Sequence, residues 1–109
     1  YFHCAKNGHK LDAIKQNKKV SFCVIEKDEV DSEKLTTLFR SVVVFGKAEI
    51  MENEEKINSA MLSFGLKYNN DINAVKKEIE RERSGLCCVE ITIEHITGKQ
   101  AIELLRKNM

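Results

Sequence analysis

The chain has 109 residues, 18 Lys and Arg against 17 Asp and Glu, and a formal net charge of +1. That balance supplies no basic stripe for nucleic acid, and no apolar run reaches the roughly 18 residues of a membrane span. Hydrophobic content of 42% with 32% charge is that of one ordinary globular domain, 1–109, and excludes a disordered or collagenous chain.

The chain opens within a strand, "YFHCA", which runs through Gly8 into a short amphipathic helix from Lys10 to Gln16. Leu11 and Ile14 share the apolar face of that helix, and Asn17 stops it. A strand that turns at a glycine into a helix is suited to cradling a phosphate, because the first helical N–H groups are free. The run "KQNKK" (Lys15 to Lys19) reads as a solvated helix end. "VSFCVIE" places Val20, Phe22 and Val24 on one face and Ser21, Cys23 and Ile25 on the other. Both faces are largely apolar, which predicts an inner strand of a barrel. "KDEVDSEKLTTLF" reads as a long polar connection. "RSVVVFGKAEIM", about Arg40 to Met51, is the strongest strand signal, and Gly46 within it marks a bulge or a close backbone approach.

Asn53 then caps a helix whose first turn carries Glu54 and Glu55, with Ile57, Ala60, Met61, Phe64 and Tyr68 forming a core stripe. A second helix spans Asp71 to about Arg83, with Ile72, Val75 and Ile79 inward and Gly85 as its stop. "LCCVEITI" (Leu86 to Ile93) is the last clear strand, followed by a turn at Thr97-Gly98 and a short helix. Cys4, Cys23, Cys87 and Cys88 form no CxxC, and the adjacent pair would need a strained ring to bond to itself. All four read as small buried strand residues of a reduced, cytoplasmic protein. His3, Cys4 and His9 match no zinc pattern and lack a fourth ligand, so no metal site is expected.

Three segments, "YFHCAKNGHKLDAIKQNKKVSFCV", "FRSVVVFGKA" and "VEITIEHITGK", resemble in order and spacing the pyridoxamine 5′-phosphate oxidase-like flavoproteins, above all their nitroimidazole-resistance (Nim) branch. The resemblance implies a mainly β chain with helices (α+β), an antiparallel split β-barrel that binds FMN at a homodimer interface. Members of that kind carry a further N-terminal helix and first barrel strands, so this chain is expected to enter the barrel near its fourth strand. Carried over by position, His3, Cys4 and Ala5 at the strand end and Gly8 in the turn approach the ribityl chain and phosphate, and Lys10 neutralises the phosphate. Arg40 and Ser41 match a position that reaches the cofactor, and Gly98 and Lys99 match a turn near the flavin edge.

Taken without the resemblance, the same residues have plainer roles. His3 is a structural histidine, Lys10 and Lys99 are solvated lysines, Gly8 is a turn glycine, and Arg40 pairs with an acid of the preceding loop. With it, His3 is the candidate catalytic residue, since an imidazole titrates near neutrality and can assist proton transfer beside a flavin. The expected activity is an FMN-dependent oxidoreductase that draws electrons from a reduced nicotinamide or another donor and passes them to a small acceptor, a nitroaromatic in the Nim branch. The alternatives are a non-catalytic, truncated split-barrel dimer acting as a binding module, and a pyridoxamine 5′-phosphate oxidase-related protein of other activity. Pyridoxamine phosphate oxidation itself is disfavoured by "GHK", where paired basic residues are expected. No nucleic-acid or membrane partner is expected. With its first strand lacking a hairpin partner, the chain is expected to bind FMN weakly or not at all and to pair or aggregate through that strand. "SVVVF" is expected nearest the dimer interface or the barrel core.

Overall fold

Alternating apolar residues and local helix caps generate nine short elements in the computed structural model, which describes residues 1–107. In chain order they are β1 (Phe2–Ala5), α1 (His9–Gln16), β2 (Lys19–Asp31), β3 (Thr36–Ile50), α2 (Glu54–Leu66), α3 (Ile72–Glu82), a 3-10 turn (Arg83–Gly85), β4 (Leu86–Gln100) and α4 (Ile102–Lys107). The strands form one open sheet in the order β1-β4-β3-β2, an α+β fold. β1 pairs with β4, and β2 with β3, both antiparallel. Packing divides the chain into two compact units, Tyr1–Lys18 with Ala48–Ile91 and Lys19–Lys47 with Thr92–Met109.

In the first unit, period 2 along β4 sends Cys88 to one face and Val89 to the other, and both are fully buried. Cys88 packs with Ile57 and Met61 of α2, flanked by Met51, Ala60, Ile79 and Leu86. The Asn53 cap is the one expected, and Asp71, expected only as the start of its helix, caps α3. Asn53 accepts from the Lys56 N–H at 3.1 Å, and Asp71 accepts from Asn73 and Ala74. α1 buries Leu11 and Ile14, and Asn17 returns its N–H to the Ala13 carbonyl at 2.9 Å. The α2 stripe is shorter than its spacing suggests. Ile57 and Met61 are buried, but α2 ends at Leu66, so Tyr68 falls beyond it and is 80% exposed, its ring against Phe64 at 5.5 Å. Phe64 and Ile72 are also exposed, leaving Val75 as the buried residue of α3.

The second unit corrects several expectations. The polar stretch after Glu26 is no long loop: β2 continues to Asp31 and turns tightly into β3 at Thr36. The turn is held by the Lys34 N–H donating to Asp31, and Leu35 takes the left-handed conformation at φ 52°. Polarity there reports exposure at a strand edge, since β2 lies at one end of the sheet and is no inner strand. For the same reason Cys23 is exposed, while Cys4 and Cys87 are half-buried and only Cys88 is buried; all four are free thiols. The irregularity assigned to Gly46 falls elsewhere. Gly46 sits in regular register opposite Val20, and the register slips between Ile25 and Lys27, making Glu26 the extra residue of a bulge. β4 also runs straight through Thr97 and Gly98 to Gln100, so no turn forms there. Of "SVVVF", Val44 is buried, Ser41 to Val43 are half-buried and Phe45 is exposed.

Candidate functional site

The end of β1 and the start of α1 form the first group of candidate residues. Period 2 places Phe2 and Cys4 on one face of β1 and His3 and Ala5 on the other. After Ala5, residues 6–8 lead directly into α1, and Gly8 is its N-cap with extended backbone at φ 160° and ψ 167°. Glycine supplies no capping oxygen, so the first N–H groups of α1 have no side-chain acceptor. The Gly8 carbonyl accepts from Asp12, closing the first turn at 3.2 Å. Lys6, His9 and Lys10 are all exposed around this uncapped start. Lys10 lies over the Phe2 ring, Nζ 5.6 Å from its centroid, a cation–π contact that draws it to the face of β1 opposite His3.

His3 turns toward the helices. Its ring meets Phe64 edge-on at 5.1 Å and lines a largely apolar cavity of about 500 Å³ with Met61, Val75, Ile79 and Leu86. His3 and Lys10 therefore share a strand end but leave it on opposite faces. Cys4 stands directly across the ladder from Cys87. Burial, then the neighbouring Cys4 thiol, pushes the Cys87 thiol above its ordinary range, while Lys15 and Arg83 pull the other way. Burial likewise raises the Cys88 thiol.

The second group lies on β3 and β4 in the other unit. Arg40 donates through Nη1 to Glu26 at 2.8 Å and through Nε to Gln100 at 3.1 Å. Glu26 is the bulge residue, so the slip in register is what presents its carboxylate to Arg40. Ser41 neighbours Gly98, where an added Cβ would stand 4.0 Å from the Ser41 carbonyl oxygen, ordinary contact. Lys99 is exposed on the strand. Glu26, Gln100 and Phe2 are partners that the sequence did not single out, and Phe64, expected in the core, is exposed and meets His3. The first two depend on strand register, which no local pattern reveals. Phe2 was legible in principle, as an aromatic two residues before Cys4 on the same face. Among the described residues no group of three His, Cys, Asp or Glu side chains is placed to hold a metal ion.

The family model described as pyridoxamine 5′-phosphate oxidase matches residues 1–100. The chain belongs to the pyridoxamine 5′-phosphate oxidase family. Members of this family are generally flavin-binding and typically dimeric. One solved structure similar to this family member is a "putative 5-nitroimidazole antibiotic resistance protein" of Bacteroides thetaiotaomicron, with a TM-score of 0.64 and 18% identity over 89% of this chain. At that identity the likeness establishes the fold. The chain spans 58% of the length of that structure. Among curated proteins none matches it. Among the described residues no helix is long and apolar enough to cross a membrane.

A flavin mononucleotide presents a dianionic phosphate, and the uncapped start of α1 fits it. Free N–H groups lie at the positive end of the helix, and Lys6 and Lys10 are exposed within a few residues of it.

Proposed function

We propose that this chain is an FMN-binding flavoprotein which, as a homodimer in the cytoplasm, reduces small molecules of the nitroimidazole type at the expense of a reduced nicotinamide or a similar donor. One observation carries the reading: a strand end passes through an uncapped glycine into a helix whose first turn bears Lys10. In this reading the α1 N–H groups and Lys10 bind the phosphate, and Gly8 keeps the approach open, since nothing lies within 4 Å of where its Cβ would be. Cys4 and Ala5 border the ribityl chain. In the second unit, Arg40 and Ser41, with Gly98 and Lys99, are a separate group proposed to contact a flavin, with Arg40 oriented by Glu26 and Gln100. Bound FMN supplies the two-electron redox chemistry; His3 is the residue proposed to hold or pass a proton.

A second reading, a dimer that binds no flavin, is favoured by the divergence of His3 and Lys10 onto opposite faces of β1. Titration with FMN separates the two. The first reading expects quenched flavin fluorescence, a yellow protein, and a flavin-dependent loss of reduced nicotinamide when a nitroaromatic is added. Lys10→Ala should weaken FMN binding by about 1.5–3 kcal/mol, the range for hydrogen bonds to charged groups, or roughly ten- to hundredfold. Equal affinities would remove Lys10 from the site, and no binding by the parent would leave the second reading.

A further inference from the structure

Cys4 and Cys87 are directly opposed in the β1–β4 ladder. Opposed residues of an antiparallel pair project to the same face with Cα atoms about 4.5–5.5 Å apart, inside the span of about 4.4–6.8 Å that a disulfide requires. Both thiols are free and half-buried, reachable by a small oxidant. The other cysteines have different surroundings. Cys88 faces the α2 core, opposite His3 in the ladder, and Cys23 is on β2.

We propose that Cys4 and Cys87 are a redox modification site, closing a reversible cross-strand disulfide that staples the end of β1 to β4. The oxidant is a hydroperoxide. One thiolate sulfur attacks the O–O bond, gains a hydroxyl as sulfenic acid and expels hydroxide, which takes up a proton. The second sulfur then displaces the sulfenic hydroxyl as water and forms the S–S bond. Two thiols thereby lose two electrons and two protons, and hydrogen peroxide is reduced to two waters. A dithiol reverses the bond by exchange. Because burial and Cys4 hold Cys87 in its thiol form, closure quickens as pH rises. Opposed Cβ atoms stand about 4.5–5.5 Å apart, whereas a disulfide wants about 3.5–4.5 Å. The ladder must tighten locally, which makes the bond one that mild thiols reopen. Its place matters, because Cys4 lies one residue before the end of β1, at the entrance to the turn that leads into α1. Closing the bond fixes this short edge strand against fraying. Bond formation needs no flavin; because Cys4 also borders the proposed ribityl site, the test reads the link itself and not flavin binding.

The test is to treat the dilute full chain with hydrogen peroxide, block remaining thiols with an alkylating reagent, and digest with trypsin without reduction. The expected product is a linked pair, Tyr1–Lys6 joined to Ser84–Lys99, with two hydrogens lost per chain and two of four thiols blocked. Fragment masses should place the link on Cys87, a Cys88→Ala variant should keep it, and a dithiol should restore all four thiols. Cys4→Ser and Cys87→Ser should each abolish it, while Cys23→Ser should not. A parent that keeps four reactive thiols, a link mapping to Cys88, or cross-links only between chains would each overturn the proposal. The peptide map is made on the parent, so a poorly folding variant does not decide it.

Discussion

Gly65 and Gly8 show how differently two glycines at helix ends are used. A Cβ on Gly65 would lie 2.5 Å from Cγ1 and 3.4 Å from Cγ2 of Val75, the buried residue of α3. Valine is stiff about χ1 and cannot swing clear, so α3 itself must move. Helix propensity alone would favour alanine at Gly65 by about 1 kcal/mol, but overpacking typically costs about 1–3 kcal/mol. The overlap should win, and Gly65→Ala is expected to lower stability by about 1–2 kcal/mol in urea unfolding. A midpoint equal to that of the parent would show that α2 and α3 separate freely. At Gly8 the space is open, but alanine is a poorer N-cap than glycine, so Gly8→Ala should cost about 0.5–1 kcal/mol. Any loss of FMN affinity in the folded variant would then report on the site and not on the fold. The same scale shows a limit of motif reading. "FHCA" presents His3 and Cys4 as neighbours in one site, yet strand geometry sends them to opposite faces.

At the scale of elements, helices were legible because their signals are local. Asn53 and Asp71 cap α2 and α3, and Gly85 closes the turn after α3. Strand limits were less so, because exposed residues of an edge strand carry loop-like polarity: Lys27 to Asp31 belong to β2 despite their charge. The bulge at Glu26 and the pairing of Cys4 with Cys87 depend on register, which is fixed by long-range pairing and leaves no trace in either strand alone. Arg83 is a similar long-range link. Its Nε and Nη2 form a two-pronged pair with the carboxylate of Glu54, at the start of α2, and its Nη1 donates to the Leu86 carbonyl at 3.0 Å, where β4 begins. A lysine has no fork and cannot make all three contacts. Because Glu54 is largely exposed, the pair is worth less than a buried one, and Arg83→Lys should cost about 1 kcal/mol. Thermal unfolding at low and high salt checks this. The loss should shrink as salt screens the ion pair, and a variant as stable as the parent would mean the fork adds nothing.

For the whole molecule, the informative feature is apolar surface that the described chain leaves in water. In the second unit, Cys23 and Ile25 on β2 share a face with Val43 and Phe45 on β3 through the Cys23–Val43 register. The Phe45 ring lies 6.3 Å from that of His95, and Ile93, two residues before His95, projects to the same side. Ile25, Phe45 and Ile93 are 62%, 47% and 56% exposed. An apolar cluster of this kind on a sheet face marks an interface more often than bare surface. A second copy in two-fold pairing is the simplest occupant, in keeping with a family whose members are typically dimers. The chain should therefore sediment as a dimer at micromolar concentration. Ile25→Lys and Phe45→Lys should each give monomers. Both side chains are largely solvated within one chain, so the cost to folding should stay within about 0.5 kcal/mol. If the flavin lies between subunits, the same variants should also lose FMN, whereas Lys10→Ala should weaken FMN and leave the dimer intact. A parent that sediments as a monomer, or lysine variants that remain dimeric, would place the partner of this face elsewhere.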